Sequence, residues 1–143
     1  MEKFFIPSTP TFDLKQTLDC GQVFRYVEKD GIFDLKASSE HAIFTEVEGG
    51  WQVECTDAGF FQKYLDFDTK YDIIQSKVAD KGLVSSAIEF GKGVHILRQN
   101  TVETVFSFII SQNNHIPRIK ALIERICDAL REDKAAQEDT KFG

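Results

Sequence analysis

The chain has 143 residues, 42% hydrophobic and 28% charged, and its thirteen Phe residues supply enough apolar bulk for a packed core. A formal net charge of -6 excludes a protein that is basic throughout and grips polyanions by charge alone. Three cysteines and three histidines, all far apart, exclude a zinc cluster, so neither a metal nor a cofactor is expected.

The chain opens without a basic segment followed by an apolar run, and no stretch of about 18 uninterrupted apolar residues follows. No signal peptide and no membrane partner are expected, and the thiols are read as reduced, in a cytoplasmic setting. Cys55 and Cys127 are expected to pack as small apolar groups.

Residues 23 to 55 read as an antiparallel meander of four strands. "QVFRYVE" and "IFDLKA" flank Asp30-Gly31, and "HAIFTEVE" and "WQVEC" flank Gly49-Gly50, two hairpin signals. Trp51, Val53 and Cys55 alternate with Gln52 and Glu54, as in a strand with one buried face. After Cys55 the period changes. Asp57 suits the cap of a helix that gathers Phe60, Phe61, Tyr64 and Leu65 on one face. Short helices are predicted over Tyr71 to Ala79 and Leu83 to Phe90, the latter ended by Gly91. Gly91-Lys92-Gly93 has no strand before it, so a helix end and linker account for it better than a phosphate loop.

The last two helices are the plainest. Asn100 and Glu103 have capping-box spacing, and Val102, Val105, Phe106, Ile109 and Ile110 form one stripe. A second helix begins near Pro117, with Ile119, Leu122, Ile123, Ile126, Cys127 and Leu130 as its stripe. The charged tail "REDKAAQEDTKFG" reads as a fraying helix end, then a loop. Residues 94 to 131 carry five cations against three anions, a local +2 that leaves -8 for the rest.

Between the two stripes lies an abruptly polar joint, Ser111, Gln112, Asn113, Asn114 and His115. Free N–H groups at a helix start favour a phosphate. Asparagine offers donor and acceptor together, as base edges do. Arg118 sits in the first turn of the second helix, where the dipole disfavours a cation, which suggests a task outside the helix. Helix caps and a solvated arginine are the plainer account of the same residues. Upstream, Gly21-Gln22 precedes a strand; a glycine there permits close approach of a ligand, or simply a turn.

Taken together, "TLDCGQVFRY", "YLDFDTKYDII" and "GVHILRQNTVETVFSFIISQNNHIPRIKALIERIC" resemble the N-terminal portion of the 8-oxoguanine DNA glycosylases, from about Phe12 to Cys127 with the motifs in family order. His115 departs from the pattern, where a third Asn is common. The resemblance implies an α+β fold: an antiparallel sheet with helices packed on it, like the TATA-binding-protein module, over residues 1–93. The first helices of an incomplete all-α glycosylase domain would follow over residues 94–143.

It implies base excision repair by a bifunctional DNA glycosylase/AP lyase whose partner is damaged double-stranded DNA, nucleoid-associated in the full-length protein. By resemblance, the Gly21 carbonyl meets the N7 hydrogen that marks 8-oxoguanine, Asn113 enters the space left by the flipped base, and Arg118 bonds the orphaned cytosine. Asn114 and His115 complete the expected DNA-binding set. The family's nucleophilic Lys, its helix-hairpin-helix and its Asp have no match here. No catalytic residue is therefore assigned, and the chain is expected to be inactive alone and prone to self-association. A stand-alone nucleic-acid-binding module and a non-enzymatic interaction domain are the alternative readings.

Overall fold

The structure is a computed structural model and describes residues 1–78 and 82–139. It divides into two compact units, the first Met1–Asn100 and the second beginning at Thr101. The first unit contains β1 (Glu2–Pro7), α1 (Leu14–Asp19), β2 (Tyr26–Lys29), β3 (Ile32–Ala37), β4 (Glu40–Val47), β5 (Gly50–Cys55), α2 (Ala58–Tyr64), α3 (Tyr71–Val78) and α4 (Leu83–Gly91). The second contains α5 (Thr101–Ser111) and α6 (Ile116–Asp139).

The strands form one antiparallel sheet in the order β1-β5-β4-β3-β2. The four predicted strands are present, and both hairpins turn where the sequence places them. Asp30 and Gly31 both adopt positive φ, 52° and 76°, the pattern of a tight hairpin that matches strand twist. Two elements go beyond the sequence reading. Strand β1 adds a fifth member at the edge of β5, and α1 is a six-residue helix capped by Asp13, which accepts from the Gln16 amide at 2.8 Å. Strand β2 is also shorter than expected. It starts at Tyr26, and beyond it only the Arg25 carbonyl still accepts across to β3, from the Lys36 amide at 2.9 Å.

Alternation puts one sheet face in the core. Phe33, Leu35 and Ala37 of β3, Ala42 and Phe44 of β4, Val53 and Cys55 of β5 and Ile6 of β1 are buried together. Leu14 and Leu18 of α1 join them, with Phe61, Tyr64 and Leu65 at α2. Each Val, Leu, Ile or Phe among them contributes about 1.5–3 kcal/mol on burial, and each Ala less. The other face carries the opposite parity, including a Lys3–Glu54 ion pair at 2.6 Å and a His41–Asp34 pair at 2.9 Å. Asp57 caps α2 as expected, accepting from the Phe60 amide at 2.8 Å. Cys55 is buried, which pushes its thiol up, whereas Cys127 is half-buried and Cys20 exposed.

The sequence reading placed the domain boundary at 93/94. The structure moves it to 100/101 because residues 94–98, which have no strand partner, are stitched into the first unit. Four successive amides find four different acceptors. His95 donates to Thr17 Oγ1 (3.2 Å), Ile96 to the Tyr71 hydroxyl (2.8 Å), Leu97 to Gln22 Oε1 (3.0 Å) and Arg98 to the Tyr64 carbonyl (2.9 Å). Gly93 starts this strap. Its carbonyl accepts from the Asp13 amide at 2.8 Å, and a Cβ there would lie 2.6 Å from Asp13 Cβ. Gly91-Lys92-Gly93 thus ends α4 and packs against the α1 cap.

In the second unit α5 and α6 pack against each other. Helix α5 buries none of its residues, and Ile119 and Ile123 are the buried members of the α6 stripe. Helix α6 runs to Asp139, further than the tail reading allowed; Lys134, Ala135, Ala136, Gln137 and Glu138 are strong helix formers. Ala79 and residues 140–143, to which the sequence reading also extended, lie outside the described residues. Among the described residues, no helix is long and apolar enough to cross a membrane.

Candidate nucleic-acid interface

The polar joint divides its residues into two pairs. Asn114 and His115 work inside the protein. Asn114 Nδ2 donates to the Ile110 carbonyl at 2.7 Å and to the Gln112 carbonyl at 3.3 Å, closing the end of α5. His115 opens α6. Its carbonyl accepts from the Arg118 amide at 3.0 Å and the Ile119 amide at 3.1 Å, and its ring Nδ1 lies 3.4 Å from the Arg118 amide. An imidazole in that role is an N-cap in place of the usual Ser, Thr, Asp or Asn.

Asn113 and Arg118 are the other pair. Asn113 stands in the left-handed region at φ 55°, a conformation asparagine tolerates better than most residues. Its side chain is exposed and has no hydrogen-bond partner among the described residues. The Arg118 guanidinium is likewise exposed without a partner among them. Caps and turn thus account for Asn114 and His115 but leave the donors of Asn113 and Arg118 unspent at one helix junction.

Gly21 belongs to the first unit. Its φ of 87° is strained for any side chain, and a Cβ there would meet nothing within 4 Å. The backbone conformation therefore demands glycine, while the space above it stays open. No donor among the described residues reaches its carbonyl.

The residue the sequence reading passed over is Gln22. Its Nε2 donates to the His95 carbonyl at 2.8 Å, its Oε1 accepts from the Leu97 amide at 3.0 Å, and its own carbonyl accepts from Gln99 Nε2 at 2.7 Å. A glutamine directly after a turn glycine was the available signal.

Deeper in the same unit, Asp66 is buried and accepts from the Tyr71 hydroxyl at 2.8 Å and Arg98 Nε at 2.5 Å. Burial pushes its carboxyl up, but hydrogen bonds from Tyr71, Thr69 and Arg98 outweigh it and hold the group below its ordinary value. Lys15 is pushed up by its hydrogen bond to Glu28, against a smaller opposing effect of burial.

Residues 4–105 match the family model described as 8-oxoguanine DNA glycosylase, N-terminal domain. Among solved structures, the chain is similar to MBOgg1 in complex with a low-affinity DNA ligand, at 32% identity and a TM-score of 0.74, over 82% of this chain and 43% of that one. It is also similar to the Clostridium acetobutylicum 8-oxoguanine glycosylase/lyase in its apo form, at 28% identity and a TM-score of 0.75, over 84% and 44% of the two chains. The same enzyme in complex with double-stranded DNA containing cytosine opposite 8-oxoG matches at 31% identity and a TM-score of 0.70, over 77% and 40%. The chain spans less than half the length of each of these structures. It belongs to the 8-oxoguanine DNA glycosylase family, whose N-terminal domain it carries.

Proposed function

We propose that these residues form the lesion- and DNA-recognising part of an 8-oxoguanine DNA glycosylase/AP lyase. The observation that carries the reading is the division of labour at the joint: Asn114 and His115 hold the two helix ends, and Asn113 and Arg118 keep free donors beside them. On this reading Asn113 fills the vacancy left when the damaged nucleotide is flipped out, a step needed because the glycosidic bond is out of reach within the stack. Arg118 donates to the acceptors of the orphaned cytosine. Gly21 offers its carbonyl to N7–H of 8-oxoguanine; guanine presents a lone pair at N7, so the same carbonyl rejects it.

The attack on C1′ is assigned to none of these residues. A Schiff-base lysine must lose its proton to act, and the Lys15 ammonium is stabilised by Glu28 instead. The DNA complexes among the similar structures support the assignment of DNA as partner.

The test uses the full-length enzyme that carries these residues. Arg118→Ala removes bonds made to cytosine alone, worth about 1–3 kcal/mol. Excision opposite cytosine falls about 5- to 150-fold on that figure, and excision opposite adenine changes little. Asn113→Ala weakens every lesion duplex alike. An equal loss opposite all bases on Arg118→Ala would make Arg118 a phosphate or structural contact.

A further inference from the structure

Gly21 has an unusual setting. It is exposed and left-handed, and a Cβ on it would meet nothing within 4 Å. No donor among the described residues reaches its carbonyl, so no hydrogen bond of its own fixes the carbonyl's direction. Its neighbours are both pinned. The Cys20 amide donates to the Gln16 carbonyl at 3.1 Å and the Cys20 thiol to the Thr17 carbonyl at 3.2 Å. On the other side Gln22 is held at three atoms by the strap, through His95, Leu97 and Gln99. The strap in turn is held by Thr17, Tyr64 and Tyr71.

A glycine between two pinned residues loses the freedom that would let its peptide plane swing. Backbone freedom of that kind is costly to freeze on binding unless it is frozen in advance.

We infer that Gln22 is a positioning residue for lesion discrimination: by joining the Gly21 turn to residues 95–99 it pre-aims the Gly21 carbonyl at the N7 hydrogen of 8-oxoguanine. This rests on the lesion-reading role proposed for Gly21. It adds that the selectivity belongs to the pair Gly21-Gln22 and to the strap, although Gln22 itself touches no base.

Gln22→Glu keeps volume and the acceptor for Leu97 while removing the Nε2 donor that serves the His95 carbonyl at 2.8 Å, Cys20 Sγ at 3.0 Å and the Thr17 carbonyl at 3.5 Å. The probe is nucleoside binding to the 143-residue chain, read from the ¹³C carbonyl resonance of Gly21 with 8-oxo-2′-deoxyguanosine and, separately, 2′-deoxyguanosine. The native chain binds the oxidised nucleoside about five- to tenfold more tightly, the equivalent of one hydrogen bond. In Gln22→Glu that ratio falls towards one while the far-ultraviolet spectrum is retained.

If the native chain responds to neither nucleoside or to both equally, the lesion-reading role of Gly21 fails and this inference with it. If the native chain discriminates and Gln22→Glu keeps the full ratio, even with a lowered melting temperature, Gln22 is structural only and the inference alone is overturned. Should Gln22→Glu not fold, Gln99→Leu removes just the bond to the Gln22 carbonyl. A reduced ratio there supports the inference, and an unchanged ratio overturns it.

Discussion

The side-chain oxygen of Gln22 accepts the backbone amide of Leu97 at 3.0 Å across a sequence separation of 75 residues. One glutamine head supplies what a neighbouring strand would, an acceptor and a donor for an extended segment that no sheet receives. The same logic recurs along the strap, where a hydroxyl, a phenol and a carbonyl take the adjacent amides.

Thr17 is the hydroxyl. It is fully buried, accepts from His95 N and donates to the Gly93 carbonyl at 3.2 Å. Thr17→Val keeps the shape and leaves the His95 amide without its acceptor, while the Gly93 carbonyl keeps its bond from the Asp13 amide. A loss of about 1–3 kcal/mol in urea unfolding is expected. A loss below about 0.5 kcal/mol, the size of an ordinary surface substitution, would mean the strap does not depend on this bond.

Asp66 ties stability to pH. Its folded-state carboxyl lies below the ordinary value of 3.8, so its contribution is present above that value and is lost as pH falls through the lower folded one. Asp66→Asn should cost about 1–3 kcal/mol at neutral pH, and the gap to the native chain should close as the pH falls below 3.8. A gap that stays constant down to the acid limit would show that Asp66 acts through shape rather than charge.

Helix α5 leaves Phe106, Phe108 and Ile109 each more than half exposed. Such a patch is a self-association hazard in the isolated chain. Light scattering over a concentration series should report growth in mean mass. A monomer at every concentration, with no binding of an apolar dye, would contradict this.

Binding of the isolated chain to duplex DNA should be weak and only mildly salt-dependent. With about two or three phosphates neutralised, log affinity against log salt should fall with a slope of about -2 to -3. A much steeper slope would reveal a basic face that the charge pattern does not suggest.

The sheet was legible because its signals are local. Asp30-Gly31 and Gly49-Gly50 set the hairpins, and alternation set the faces. Strand β1 was not, since its pairing with β5 is fixed by residues about fifty positions away. Helix α1 is only six residues long and shows no repeat. The strap has no periodicity at all, because its hydrogen bonds go to side chains and turns instead of a ladder.

At the joint, composition revealed that something polar sits between two apolar stripes, but not which residues it spends on itself. Asn113 and Asn114 are adjacent and identical in kind. Only backbone geometry separates the cap from the free side chain.

That separation is tested most directly by nitrogen-detected NMR on the labelled 143-residue chain, titrated with a duplex holding an abasic-site analogue opposite cytosine. The Asn113 side-chain amide and the Arg118 guanidinium signals should move, more for this duplex than for the intact one, while the Asn114 side-chain amide keeps its protected, hydrogen-bonded signature. Movement confined to other residues, with Asn113 and Arg118 unchanged at saturation, would contradict the account.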